Sequence, residues 1–131
     1  MEDRFNYKFY LKEKNKMFQV HSIDFEFKLV TIILDGDYID FCLSDGVLIQ
    51  CTGLRDKNGT LIYEGDILQY EAEIKANYSI VYFDKAEFRV KEYLTICAKN
   101  PLIFGVDNYI KMRSCEIIGN IYQNKELLND N

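Results

Sequence analysis

The stretch Gln50-Cys51-Thr52-Gly53-Leu54-Arg55-Asp56-Lys57-Asn58-Gly59-Thr60-Leu61-Ile62-Tyr63-Glu64-Gly65-Asp66-Ile67 decides the fold. Its centre, Asp56-Lys57-Asn58-Gly59, is the sharpest local signal in the chain. Asn-Gly readily takes positive φ at both central positions of a tight turn, so the pair predicts a type I′ hairpin. Residues 47–52 and 61–63 on either side are aliphatic, β-branched and aromatic, and read as strands. Glu64-Gly65-Asp66 then interrupts the chain before a further strand at 67–70. Gly permits a tight entry, and the Asp66 carboxylate is suited to accept backbone N–H groups at the start of that strand.

Outward from this stretch, strand signals continue in both directions. Phe5, Tyr7 and Phe9 alternate with Asn6 and Lys8, the period-2 pattern of a strand with one buried face. Residues 12–16 form a polar turn, and residues 17–20 complete a hairpin. Phe25, Phe27 and Leu29 alternate with Glu26 and Lys28 and lead into an apolar run at 30–34, which predicts another strand. Asp35-Gly36-Asp37 breaks it. Residues 38–43 and 47–52 flank Ser44-Asp45-Gly46 in a hairpin-like arrangement. Towards the C-terminus, residues 78–83 and 88–93 are two strands around a turn at 84–87, and turns are expected at 98–101 and 105–108. Residues 115–122 form a final strand, with Gly119 as a bulge or close-packing point. Asn124 caps a single helical turn over 124–128. Residues 71–76 suit a short helix, a strand or a loop, and no segment of convincing length has helical periodicity. Many short strands separated by turns favour an all-β barrel or sandwich.

The composition belongs to an ordinary globular domain. Of 131 residues, 48% are hydrophobic and 28% charged, with one Pro and seven Gly. This argues against disorder, a collagen-like repeat and a disulfide scaffold. Ten Tyr and nine Phe suit half-buried pleated surfaces. Sixteen basic residues face twenty-one acidic ones, a net charge of −5. No segment is basic, so no footprint for a phosphate backbone is visible along the chain. Lys8, Lys12, Lys14 and Lys16 are close in sequence and read as a solvated turn. The charged start Met1-Glu2-Asp3-Arg4 is not a secretory signal, and no run approaches the roughly 20 apolar residues of a membrane helix, so a cytoplasmic protein without membrane association is expected. Cys42, Cys51, Cys97 and Cys115 show no Cys-x-x-Cys pairing and read as small buried apolar residues.

Catalytic patterns are sparse. A triad or Cys-His system would have to use His21, the one histidine, which lies in a strand-like stretch and reads as a surface or core-edge residue. No phosphate-binding loop, dinucleotide fingerprint, zinc-protease helix or nucleophile elbow occurs. The segment from Asp56 to Gly59 fails as a calcium loop, because that loop places Gly at its sixth position. Glu64 and Asp66, two apart, would share one face of a strand, as an acid/base or metal pair might; the backbone-anchoring role of Asp66 is the stronger reading. No catalytic residue, cofactor site or metal site is therefore assigned.

Two blocks of the chain resemble the YopX family of phage and prophage proteins. The first is residues 50–59 with Ile62-Tyr63-Glu64-Gly65-Asp66-Ile67; the second is Glu116-Ile117-Ile118-Gly119-Asn120-Ile121-Tyr122 with Asn124 and residues 126–128. Tyr7-Lys8-Phe9 and Asn15-Lys16-Met17 also fit. The family's usual Arg-Ala-Trp-Asp is replaced here by Tyr10-Leu11-Lys12-Glu13, and the chain has no Trp. The resemblance implies a mainly β protein. It implies a small SH3-like barrel region over residues 50–131, ending in a strand and a short helical turn, with additional β-strands at 1–49 in one compact unit. It implies self-assembly into homo-oligomers, a phage or prophage gene expressed in a bacterial host, and no established enzymatic activity. Its signature positions are Thr52, Gly53, Leu54, Asp56, Asn58 and Gly59; Ile62, Tyr63, Glu64, Gly65 and Asp66; and Gly119, Asn120 and Tyr122. They serve either to build turns or to bind a ligand. The expected function is a non-enzymatic binding or adaptor protein acting on a host or phage protein. The alternative is a nucleic-acid-associated accessory protein in phage replication or expression.

Overall fold

The structure, a computed structural model, describes residues 5–70, 77–94 and 101–128. The protein is mainly β, built of three antiparallel sheets and one short helix among the described residues. The first sheet contains β1 (Tyr7–Leu11), β2 (Lys16–Gln19), β6 (Gly46–Arg55) and β7 (Leu61–Tyr63), in the order β2-β1-β6-β7. The second is a three-stranded meander of β3 (Ser22–Asp24), β4 (Leu29–Leu34) and β5 (Asp37–Cys42). The third contains β8 (Asp66–Tyr70), β9 (Asn77–Asp84), β10 (Glu87–Leu94), β11 (Leu102–Gly105) and β12 (Cys115–Asn120), in the order β11-β10-β9-β8-β12. Helix α1 (Val106–Met112) follows β11.

The period-2 patterns place side chains on two faces of the first sheet. Phe9 lies opposite Leu48, and Tyr10 opposite Val47. Phe9 and Leu11 meet Val30 and Ile32 of β4 in one core, with Phe18, Phe41 and Leu48 packed around them. On the other face Ile49, Cys51 and Tyr63 form a second core with Tyr10, Met17 and Tyr122. A third core lies under the five-stranded sheet, where Ile62, Leu68, Val81, Val90 and Cys115 enclose Val106 and Tyr109 of α1. Each fully buried aliphatic side chain contributes about 1.5–3 kcal/mol. Strand β6 spans residues on both sides of position 50 and pairs with β1 and β7.

Four readings of the sequence are corrected by this architecture. Phe25 and Phe27 do not continue a strand. The Asp24 carboxylate accepts the N–H groups of Glu26 and Phe27, each at 3.0 Å, and Lys28 takes φ 57°, so residues 25–28 turn and both Phe rings face solvent. A local side-chain bond to the backbone outcompetes the ladder here. Strands β5 and β6 do not form a hairpin, because β5 pairs with β4 and β6 with β1 and β7. A 3₁₀ turn at Leu43–Asp45 carries the chain from one sheet to the other. The Asn58-Gly59 hairpin exists, but only Gly59 has positive φ (81°). Gly59 N–H donates to Asp56 O at 3.0 Å and Asp56 N–H to Thr60 O at 2.9 Å, the bonding of a three-residue loop with a left-handed third position. Finally, α1 replaces the turn expected at 105–108. Val106, Tyr109 and Ile110 share one helix face against the core, and Asp107 pairs with Lys111 at 3.1 Å.

Two hairpins close on two-residue turns, one with suited residues, Asp35-Gly36, and one with Lys85-Ala86 held in that geometry against preference. Leu34 pairs with Asp37 across Asp35 and Gly36, and Asp84 with Glu87 across Lys85 and Ala86, all four loop residues having positive φ. Strand β12 is bulged between Ile117 and Gly119, as the Gly suggested. The C-terminal helical turn is Lys125–Leu128. Asn124 does not direct its side-chain oxygen into it; that oxygen accepts Asn120 N–H at 3.0 Å. Residues 71–76 and 98–100 lie outside the described residues.

Candidate functional site

The two signature blocks meet in space because β12 pairs with β8, placing Asn120 opposite Asp66 and Gly119 opposite Ile67. At one end of this seam, the β6–β7 loop is tied down by Asp56. Its Oδ1 accepts Asn58 N–H and Thr60 N–H, each at 2.9 Å, and its Oδ2 reaches across to Ile117 N–H at 3.0 Å. Lys57 N–H donates to Cys115 O at 2.8 Å beside it. Thr52 Oγ1 donates to Ile62 O at 2.7 Å and accepts Leu54 N–H at 3.1 Å, with the left-handed Gly53 (φ 83°) between them. Leu54 and Ile62 pack into the core under the five-stranded sheet.

At the other end, Glu64-Gly65-Asp66 makes the turn from β7 to β8, so Glu64 and Asp66 do not lie along one strand. Gly65 N–H donates to Val81 O at 2.7 Å, and Gly65 O accepts Ile121 N–H at 2.8 Å. The Asp66 carboxylate accepts Tyr63 N–H at 2.7 Å, and the Lys8 ammonium lies 4.3 Å from the centre of the Tyr63 ring. Asn120 Oδ1 accepts the N–H groups of Tyr122 and Gln123, and the Tyr122 ring stacks on Tyr10. Thr52, Asp56, Asp66 and Asn120 thus each engage backbone groups of adjoining loops and strands. Among the described residues, no group of three or more His, Cys, Asp or Glu side chains is arranged to hold a metal ion.

Burial pushes the Asp66 carboxyl up to about 7, against the pull of the Tyr63 N–H and Lys8, with the Asp56 charge adding to the rise. Burial also raises the Glu64 carboxyl, opposed by the Phe83 backbone. The folded protein therefore holds the Asp66 proton more tightly than the unfolded chain does. The stability this contributes is fully present below about pH 4 and is lost as pH rises through about 7. Asp66→Asn cannot ionise yet keeps an oxygen for Tyr63 N–H. Urea midpoints should fall for the native sequence between about pH 4 and 8 and be flatter for Asp66→Asn. Parallel curves would assign the pH dependence to another group.

Of the described cysteines, Cys51 and Cys115 are buried as expected, but Cys42 is exposed because its position on β5 points away from the core. Cys97 lies outside the described residues. His21 is exposed and rests edge-on against Tyr38.

The tertiary structure also assembles a site that no local pattern announced. A cleft of about 400 Å³ opens between the tip of the β6–β7 loop and the end of α1. Arg55, Lys57, Lys111 and Arg113 line it, with Asp56 as its acid. Below it lies Glu92, 1% exposed at a core-facing position of β10. Glu92 Oε1 accepts the Tyr70 hydroxyl at 2.8 Å and stands 3.9 Å from Arg113 Nη2. The Arg113 guanidinium stacks over the Tyr70 ring at 4.7 Å. Among the described residues, Glu92 Oε2 and Arg113 Nε are buried without a hydrogen-bond partner. Nearby, burial raises the Tyr109 hydroxyl, which shares a 2.6 Å hydrogen bond with Ser79, and pushes the Cys115 thiol up to about 11. A buried acid at a strand position, Glu92 beside Val90, was the one signal in the sequence that could have pointed here.

Curled antiparallel sheets, with loops closed by carboxylate and amide side chains, define a small mainly β protein. The model of the YopX protein family matches residues 6–129, and the chain belongs to that family. Among solved structures it is similar to protein EF1440 from Enterococcus faecalis, with 24% identity over 95% of this chain and 97% of that chain and a TM-score of 0.63. It is similar also to protein yopX from Bacillus subtilis, with 17% identity over 96% of this chain and 99% of that chain and a TM-score of 0.63. Both likenesses concern the fold. No curated protein matches the sequence. Among the described residues, no helix is long and apolar enough to cross a membrane.

Proposed function

We propose that this chain is a non-enzymatic binding or adaptor protein, made in the bacterial cytoplasm from a phage or prophage gene, which acts as a homo-oligomer on a host or phage protein. The observation that carries this reading is the apolar exposure of the β3-β4-β5 sheet. Phe25 is 71% exposed and Phe27 70% on the β3–β4 turn, and Tyr38 is 68% exposed opposite Ile33 near the β4–β5 turn, with Ile33 and Leu34 also exposed. Single exposed apolar residues are ordinary, but this many on one three-stranded meander and its turns favour the binding reading. Strands β3 and β5 are also edges of that sheet, and an open edge can accept a partner strand.

The test is a tagged pull-down from bacterial lysate, with and without nuclease, read by mass spectrometry. A specific protein retained after nuclease is the expected result. The double variant Phe27→Ser/Tyr38→Ser should lose that protein while changing stability by no more than about 0.5 kcal/mol, as exposed substitutions do. Undiminished capture by the double variant would remove this surface from the reading.

A second reading, a nucleic-acid-associated accessory role, draws on the cationic cleft. Binding to a labelled oligonucleotide that weakens steeply with salt would favour it. The finer architecture belongs to the same proposal: we place β6–β10 and β12 in the SH3-like barrel class. Its support is the way the β6–β7 loop bonds to β12 through Lys57 and Asp56 while β12 pairs with β8, curling the strands towards closure.

A further inference from the structure

Four cationic side chains gather in one cleft of a protein whose net charge is −5. Their compensation within the protein is uneven. Lys111 is paired with Asp107 on its own helix. Arg55 is engaged as well, donating to the Gly59 carbonyl at 2.7 Å. No ion pair is present for Lys57 among the described residues, and Arg113 approaches Glu92 only at 3.9 Å with its Nε unsatisfied. The one acid lining the cleft, Asp56, has both oxygens occupied by backbone N–H groups, which offset its charge. The guanidinium of Arg113 lies over the Tyr70 ring, its Cζ 4.7 Å from the ring centre, and this contact restrains it. A restrained guanidinium and an ammonium lining one cleft of this size suit a compact anion carrying more than one charge.

We propose that this cleft binds a small phosphorylated ligand, its phosphate oxygens held between Lys57 and Arg113 with Arg55 and Lys111 at the rim. A compact ligand is favoured over a polyanion because the cationic area is confined to one cleft. A long phosphate backbone would run onto a surface of net negative charge. This site stands on its own geometry and does not depend on the protein-partner reading.

The probe is inorganic pyrophosphate, titrated into the whole protein and followed by amide chemical shifts, with sodium chloride at matched ionic strength as the blank. Saturable shifts at residues 55–57 and 111–115 are expected. Lys57→Gln, at an exposed loop position, should weaken binding by about tenfold or more while leaving Tm unchanged, and Lys12→Gln, on the distant β1–β2 turn, should not weaken it. Arg113→Gln should also weaken binding, and its Tm reports separately on the loss of the Glu92 contact. Shifts that fail to saturate at millimolar pyrophosphate, or equal affinity in Lys57→Gln, would overturn the proposal. Displacement of pyrophosphate by a single-stranded oligonucleotide at far lower concentration would overturn it too, assigning the cleft to a polynucleotide.

Discussion

Asp56→Ala is expected to cost about 3–5 kcal/mol of folding stability, because one carboxylate satisfies three backbone donors and charged hydrogen bonds contribute about 1.5–3 kcal/mol each without full additivity. Two of those donors, Asn58 and Thr60, lie in an exposed loop and can turn to water. The third, Ile117 N–H, is partly buried at the β12 bulge and is 61 residues away in sequence. Its loss separates the β6–β7 loop from the five-stranded sheet. Thermal unfolding should move down by about 10 °C or more for a chain of this size. Asp56→Asn should fall between, since an amide oxygen can serve Asn58 and Thr60 but its NH₂ cannot accept from Ile117. A loss below about 1 kcal/mol in Asp56→Ala would mean that Lys57 N–H to Cys115 O holds the loop unaided.

Gly65→Ala is the second large effect. Gly65 has φ +89°, a conformation that L side chains rarely adopt, and an added Cβ would lie 2.7 Å from the Tyr122 ring. The left-handed conformation alone costs about 1–2 kcal/mol in any non-glycine residue. Moving Tyr122 adds about 1–3 kcal/mol of packing strain, since that ring is stacked on Tyr10 at 5.3 Å. The expected sum is about 2–5 kcal/mol, read from urea denaturation with an unchanged m-value. Introduced into Tyr122→Ala, the Gly65→Ala change should cost less than it does in the native protein, because the clash is gone and the dihedral cost is not. Equal stability in Gly65→Ala and the native protein would show that the turn can take a different φ.

Both substitutions fall at signature positions that close loops. Asp56, Asp66 and Asn120 accept backbone N–H groups near strand ends, and Thr52 bonds Ile62 O and Leu54 N–H within the β6–β7 pair. Side chains of this kind bind their own turns, so their effect on the backbone is short-ranged and visible in a sequence. The hairpin at Asn58-Gly59, the break at Asp35-Gly36 and the bulge at Gly119 were all legible for that reason. The exact form of a turn was less so. Asp56 draws the Asn58-Gly59 loop into a three-residue geometry, because its carboxylate competes for the donors that a two-residue turn would leave exposed. Asp24 likewise overrides the alternation of Phe25 and Phe27.

The sequence by itself determined that the chain is mainly β, where most strands begin and end, and to which family it is similar. Alternating side chains and turn formers act over a few residues, and such preferences survive without knowledge of the partner strand. Only the tertiary structure decided which strands pair beyond the local hairpins. Gly46 illustrates the difference: a Cβ there would collide with Tyr10 O, a contact created by the pairing of β6 with β1 rather than by any neighbour in sequence. The short helix α1 was decided the same way, since seven residues have little helical stability until Val106 and Tyr109 find a core. The cationic cleft is the clearest case. Lys57 and Arg113 stand far apart in a chain with no basic segment, and the bonds of the β6–β7 loop to β12 bring them together. Charge density in space follows from packing, and packing joins residues that no short-range pattern connects.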